Sequence, residues 1–353
     1  MSPPAPAGAL DVLIVSLGST TGLRSADEEL AASLRRAGAS VAIASAAAPR
    51  AVRTLMLTDL SWARAARAAA GEALQRAKPR SIIYSTTTAA LLWPAPGAIR
   101  FDAPAAANRP GRHGLWQRPL ERRRLGQASL LLPLSAGGLA EAGPSGGGAA
   151  RALVVPLPVE PSGAPAERDI AAITYAGNPA KKGLSRVLAA WRQARLLAGE
   201  NGQLLVAGCS PEELRAAGIE LSTEPAVVDV GRLEAAEYRA LLRRSRVFVT
   251  APRREDYGQA QLEALADGCL LVSTPAPGPY AALPIARRLD PQLVDLDLGA
   301  ALARALVHED RDQYAELALA ELAPLRAEAV DRLVANELLP RLLGSPAPAA
   351  LAT

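Results

Sequence analysis

Val247-Phe248-Val249-Thr250-Ala251-Pro252-Arg253-Arg254-Glu255-Asp256-Tyr257-Gly258-Gln259-Ala260-Gln261-Leu262-Glu263-Ala264-Leu265-Ala266-Asp267-Gly268 reads as three elements in succession. The first four residues are a short apolar run of the kind buried in a parallel sheet, followed by a charged loop. A small-residue helix starts near Gly258 and turns at Asp267-Gly268 into the next apolar run, residues 270–273. Strand, loop and helix make half of a βαβ unit, and the order recurs along the chain. Further strands are predicted at 10–15, 41–44, 81–84, 99–101, 129–132 and 153–155, then at 170–175, 204–207 and 227–230. Ser25 and Glu28 match a capping box for the first helix, which closes near Gly38. Ser210-Pro211-Glu212-Glu213 has an N-cap, Pro at N1 and Glu at N3.

Helix onset at Gly258 leaves the N–H groups of Gly258, Gln259 and Ala260 without intrahelical partners, so with the helix dipole they can receive a phosphate. Glu263 lies more than a turn into that helix, within reach of a neutral polyol such as ribose, while Glu255 stays in the loop. Either carboxylate pressed against a phosphate would repel it, so the two need separate jobs. A second loop, Tyr175-Ala176-Gly177-Asn178-Pro179-Ala180-Lys181-Lys182-Gly183, also follows a strand and precedes a helix. It sets Lys182 beside another helix N-terminus, where a lysine serves a phosphate as a mobile point charge.

The segment around Gly258 resembles the donor-binding motif of retaining glycosyltransferases of family 4, whose signature is two glutamates separated by seven residues, here Glu255 and Glu263. The resemblance implies a GT-B fold: α/β, with two Rossmann-like doubly wound domains facing across a cleft and a helical C-terminus. It implies transfer of a sugar, with retention of configuration, from a UDP- or GDP-linked donor to a glycan, lipid or small-molecule acceptor. Glu255 would contact the donor sugar and Glu263 the ribose, and no metal or other cofactor is expected. In the resembled family the loop after strand 170–175 carries an Arg and a Lys on the diphosphate. Lys182 falls on the lysine, but Asn178 stands at the arginine position, and Arg253 or Arg254 is the candidate replacement. The alternatives are a non-catalytic nucleotide-sugar-binding protein of the same fold and an epimerase or phosphorylase.

In the first half, Gly18 belongs to a Gly/Ser/Thr loop after the first strand, where the resembled family uses a Gly-rich loop close to the donor phosphates; a plain turn reads equally well. The pattern is neither G-x-G-x-x-G nor a P-loop. Relatives often carry histidine after two first-domain strands; here those places hold Ser85-Thr86-Thr87-Thr88 and Asp102. Asp102 is either an acceptor-orienting catalytic group or a turn former. Arg109, Arg112, Arg118, Arg122, Arg123 and Arg124 crowd one stretch, opposed only by Glu121. Solvated helix face, anionic acceptor site and anionic membrane surface are the competing readings. Gly143-Pro144-Ser145-Gly146-Gly147 spells the hydrolase elbow without its strand-turn-helix context, which argues against serine hydrolysis.

At 353 residues, two domains of roughly 100–200 residues each are expected. The divisions read as a disordered tail 1–8, an acceptor-side domain 9–156, a Pro/Gly/Ser linker 157–168, a nucleotide-sugar domain 169–330 and a C-terminal helix and tail 331–353. Aromatics are 3%, which removes base-stacking surfaces and with them a nucleic-acid partner. Cys209, Cys269 and only 2 histidines exclude a Cys/His zinc site and a disulfide framework. Without a visible export signal or long apolar run, a cytoplasmic protein is expected, with the arginines allowing peripheral contact at the inner face of the membrane.

Overall fold

A computed structural model describes residues 10–50, 54–109, 111–143 and 151–344. The terminal tails and most of the elbow-like Gly143-Pro144-Ser145-Gly146-Gly147 lie outside the described residues. The chain divides into two compact units, 1–157 with 327–353, and 158–326.

In the first unit, β1 (Val12–Ser16), β2 (Val41–Ser45), β3 (Ser81–Tyr84), β4 (Ala98–Phe101) and β5 (Leu131–Pro133) form a parallel sheet in the order β2-β1-β3-β4-β5. The second unit holds β6 (Ile170–Tyr175), β7 (Leu204–Ala207), β8 (Val227–Gly231), β9 (Ser245–Thr250) and β10 (Leu270–Ser273) in the order β10-β9-β6-β7-β8. Both are doubly wound, with every pairing parallel. Such sheets have a switch point where the strand order reverses, and ligands collect at the carboxyl ends there. It falls between β1 and β3 in the first unit and between β6 and β9 in the second.

Four sequence-based expectations change. Residues 153–155 form no strand, although Leu153 N donates to Leu131 O at 2.9 Å and Val155 N to Pro133 O at 3.0 Å. Pro133 has no N–H to complete the parallel ladder from its side, so a regular sixth strand cannot form. The first helix begins at Thr21, capped by the Thr20 hydroxyl accepting from Leu23 N at 3.2 Å, and Ser25 to Glu28 lie inside it. The earlier threonine takes the capping role, while the box at Ser210 forms as read.

The third change concerns the C-terminus. From Ala327 the chain belongs to the first unit. Val330, Val334, Leu338 and Leu342 join Val12, Ile14, Leu30 and Leu34 in one apolar cluster, and Asp331 accepts from Arg36 Nε at 2.7 Å. A strict four-residue spacing overshoots the 3.6-residue α-turn by about 40° per step. A π-helical turn, Val334–Leu338, takes up the excess and keeps the stripe on one face. The stretch read as a linker, 157–168, falls in the second unit from Pro158 and is fastened there: Asp267 accepts from Ser162 N at 2.8 Å, and Arg239 donates to Glu160 O at 2.7 Å.

Candidate active site

The two loops singled out in the sequence leave β6 and β9, the strands that flank the second switch point. After β6, Asn178 caps the single helical turn Pro179–Lys182, its side chain accepting from Lys181 N at 2.9 Å. The residue at the missing arginine's position therefore holds the loop that presents the lysines. After β9, Arg253 N donates to Lys181 O at 3.0 Å, which joins the two loops through backbone.

Across that join Lys182 Nζ donates to Glu255 Oε2 at 2.6 Å, with 20% and 7% of the two side chains exposed. Asp256 accepts from Lys181 Nζ at 3.2 Å on one oxygen and from Arg254 Nε at 2.8 Å on the other. Three cations against two carboxylates leave one positive charge in excess, a setting that favours an anion. Arg254 is thus engaged by Asp256, and the Arg253 side chain is exposed.

Gly258 caps the helix Gln259–Ala266 in a left-handed conformation, φ 91°, and a Cβ there would strike the Tyr280 ring at 2.7 Å. Only glycine meets both demands. Gly278, φ 111°, lies so close to the carbonyl of Glu255 that it too excludes a side chain, and Glu255 N donates to Pro277 O at 3.0 Å. The loop after β10 therefore clamps the backbone of Glu255. Further along the helix, Glu263 accepts from Gln259 Nε2 at 3.1 Å. Burial raises its pKa above the ordinary 4.5, against the pull of Gln259 and Arg239. The rings of Tyr175 and Tyr238 meet at a tilt of 59° with centroids 5.5 Å apart, and after burial the largest influence raising both hydroxyls is the Glu263 charge.

The structure gathers Asn178, Lys182, Arg254, Glu255, Gly258, Gln259, Ala260 and Glu263 in one unit. Gly18, Asp102 and the arginine stretch belong to the other. Gly18 O accepts from Arg24 at 2.9 Å, and the exposed Asp102 accepts from Ala103 N at 2.7 Å. The arginines do not form one uniform patch. Arg109 pairs with Asp59 at 2.7 and 3.0 Å, Arg118 donates to Gly111 O, and Arg124 donates to Leu91 O at 2.9 Å while lying 5.0 Å over the Trp93 ring. Arg112, Arg122 and Arg123 are exposed. Glu121 is buried, accepts from Ala105 N at 2.8 Å, and burial pushes its pKa up to about 7.

Sequence reasoning missed Asp256, which holds two of the cations, and Gln261, whose Nε2 donates to Glu255 Oε2 at 3.0 Å. The signal for Gln261 was a polar residue among Ala260, Leu262, Ala264, Leu265 and Ala266 on an otherwise small and apolar helix.

Residues 170–308 match the family described as "Glycosyl transferases group 1". The fold is similar to that of WaaG, a glycosyltransferase involved in lipopolysaccharide biosynthesis, with TM-score 0.70 and 15% identity over 92% of this chain and 99% of that one. Sucrose-phosphate synthase from Thermosynechococcus elongatus gives TM-score 0.66 and 15% identity over 95% and 99%. The catalytic domain of starch synthase IV from Arabidopsis thaliana, bound to ADP and acarbose, gives 0.66 and 13% over 95% and 100%. None of the curated proteins matches the chain by sequence. The fold is of the GT-B type, with two parallel doubly wound sheets. Within it, residues 170–308 carry the similarity to the group 1 glycosyltransferases. No helix among the described residues is long and apolar enough to cross a membrane.

Proposed function

We propose that the protein moves a hexosyl-type sugar from a nucleoside diphosphate-linked donor, UDP- or GDP-sugar, to a glycan, lipid or small-molecule acceptor with retention of anomeric configuration. The observation that carries this reading is the Lys182–Glu255 contact of 2.6 Å, because it joins the phosphate loop to the sugar-side carboxylate beside the helix that starts at Gly258. When the bond from the anomeric carbon to the diphosphate breaks, negative charge grows on phosphate and positive charge on the sugar. Lys182 and the N–H groups of Gly258, Gln259 and Ala260 answer the first charge, fixed in place before it appears. Glu255 answers the second and orients a sugar hydroxyl. Glu263 accepts from the ribose, and the acceptor enters from the face that the diphosphate leaves. Protein groups carry the leaving charge in this scheme, so turnover is expected to survive a chelator.

The test is mass spectrometry of products after incubation with a panel of nucleotide sugars and cell extract, with the anomeric configuration read by NMR. The matching nucleoside diphosphate should also raise the melting temperature, adding about 2.7 kcal/mol at a hundred times its Kd. Folded protein that no nucleoside diphosphate stabilises would sink the donor site. Binding without turnover would leave a nucleotide-sugar-binding protein.

A further inference from the structure

Gln261 is 1% exposed on a helix whose neighbouring Leu262, Ala264, Leu265 and Ala266 are core. A buried amide needs partners for its oxygen and its NH2, and a leucine or methionine would fill the same space without that demand. Yet Gln261 Oε1 is buried with no hydrogen-bond partner, and the neighbouring Tyr280 hydroxyl lies 3.2 Å from Ser273 Oγ. What the amide does make is the 3.0 Å bond from Nε2 to Glu255 Oε2, the oxygen that Lys182 also holds at 2.6 Å. Apart from a contact with the Tyr280 hydroxyl, packing gives no reason for this glutamine, whereas a carboxylate that must stay in place does.

We infer that Gln261 is a positioning residue for sugar transfer: it keeps Glu255 in register when Lys182 turns from that carboxylate to the donor diphosphate. This rests on the function proposed above. In the unliganded protein Glu255 has a cation and an amide on one oxygen. A diphosphate competes for the cation, since its charge exceeds that of a single carboxylate. Glu255, 5% exposed, would then be an unpaired buried charge free to swing, unless the amide retains it. With Gln261 still donating to Oε2, Oε1 remains available to accept from a hydroxyl of the donor sugar.

The test compares Gln261→Met and Gln261→Glu with the wild type, using the nucleotide sugar that the wild type consumes and the matching free nucleoside diphosphate. Gln261→Met should lower kcat about 10- to 100-fold while the donor KM and the nucleoside diphosphate Kd stay within about twofold, because the diphosphate contacts remain and only the sugar-side geometry is lost. In Gln261→Glu two carboxyls face each other, with Lys182 on the Glu255 side and the Tyr280 hydroxyl on the other. At low pH the pair shares one proton, and the new residue donates to Glu255 as the amide does. As pH rises through the raised pKa of the pair, both ionise and repel. This variant should therefore recover turnover on the acid side and lose it towards alkaline pH, over a range where the wild type holds level and Gln261→Met stays low. A purely structural role would depress both variants at every pH. Full activity in Gln261→Met, or equal loss in both variants without acid recovery, overturns the inference. A wild type that consumes no nucleotide sugar overturns the proposed function, and this inference with it.

Discussion

The two sheets present the same device with opposite exposure. At the β6/β9 switch point the ion pair Lys182–Glu255 sits at the rim, with the lysine one-fifth exposed. Beside the β1/β3 switch point the first unit has its own pair, Asp27 and Arg100, 3.4 Å apart and only 3% and 5% exposed. Around it, Leu17 N donates to Ser85 Oγ at 3.0 Å and Arg100 donates to Ala26 O at 2.9 Å. Burial raises the Asp27 pKa, against the Ser16 and Ser85 hydroxyls and Arg100. A sealed pair cannot trade a partner for a ligand, because the abandoned charge would stay in low dielectric. The rim pair can. Exposure of an ion pair, more than its presence at a strand end, distinguishes the candidate site from the support.

The comparison breaks most directly at Arg100. Arg100→Met should lower unfolding stability by about 3–5 kcal/mol, leaving Asp27 buried and uncompensated, while the double variant Asp27→Asn/Arg100→Met recovers most of the loss. Burial already raises the folded-state pKa of Asp27 and loss of Arg100 raises it further, so the single variant should lose stability as pH climbs from the ordinary carboxylate value through the raised one, and suffer more at pH 8 than at pH 5. Urea denaturation at both pH values measures this. A loss below about 1 kcal/mol would mean that the sealed pair supports nothing.

At the rim the effect moves from stability to rate. Lys182→Ala should cut turnover by about 10²- to 10³-fold, the scale of one lost transition-state donor, with a small change in melting temperature. It should weaken nucleoside diphosphate far more than nucleoside. Equal weakening of both ligands would show that the lysine acts on something other than the diphosphate.

Both rim loops were legible in the sequence because each is a local signal: apolar strand, glycine or proline at the bend, charges, helix. The pairing of Glu255 with Lys182 spans 73 residues, and the resemblance to a known motif joined them before the strand order did. Asp27 and Arg100 are also 73 residues apart, but no motif links them, and an arginine inside a four-residue strand reads as an edge. The return of 327–343 to the first unit was hidden for another reason. Its four-residue apolar spacing fits an α-helix poorly and is reconciled only by the π-turn. The strand read at 153–155 failed on one missing N–H, that of Pro133, which periodicity does not register.

A smaller effect concerns the other glutamate. If Glu263 receives ribose hydroxyls, Glu263→Gln should weaken nucleoside diphosphate binding by about tenfold, near 1.4 kcal/mol, through loss of a charged acceptor. The wild-type carboxyl has a pKa raised above 4.5 by burial, so its affinity should decline as pH falls through that raised value, and the variant's should not. Titration calorimetry across that range decides it. Parallel pH profiles would remove Glu263 from the ribose.

The smallest effects separate the arginines, which sequence reading had grouped as one patch. Arg124 is built into the first unit: its guanidinium lies 5.0 Å over Trp93, and Nε donates to Leu91 O at 2.9 Å. Burial and the neighbouring Arg123 lower its pKa, as a partly enclosed cation requires. Arg124→Gln should therefore cost about 1 kcal/mol, the worth of one cation–π contact and one hydrogen bond. Arg122→Gln and Arg123→Gln, both on the exposed side of the same helix, should each stay within about 0.5 kcal/mol. None of the three belongs to the unit that holds Lys182, so nucleoside diphosphate affinity should be unchanged in all of them. Adding anionic vesicles at low salt extends the test. If Arg122 and Arg123 meet a lipid surface, removing each costs about 1 kcal/mol of vesicle binding, an effect that disappears at 1 M salt, where the Debye length is about 3 Å. Wild-type protein that ignores such vesicles leaves those two as a solvated helix face, with Arg124 still set apart from them by its ring and its carbonyl.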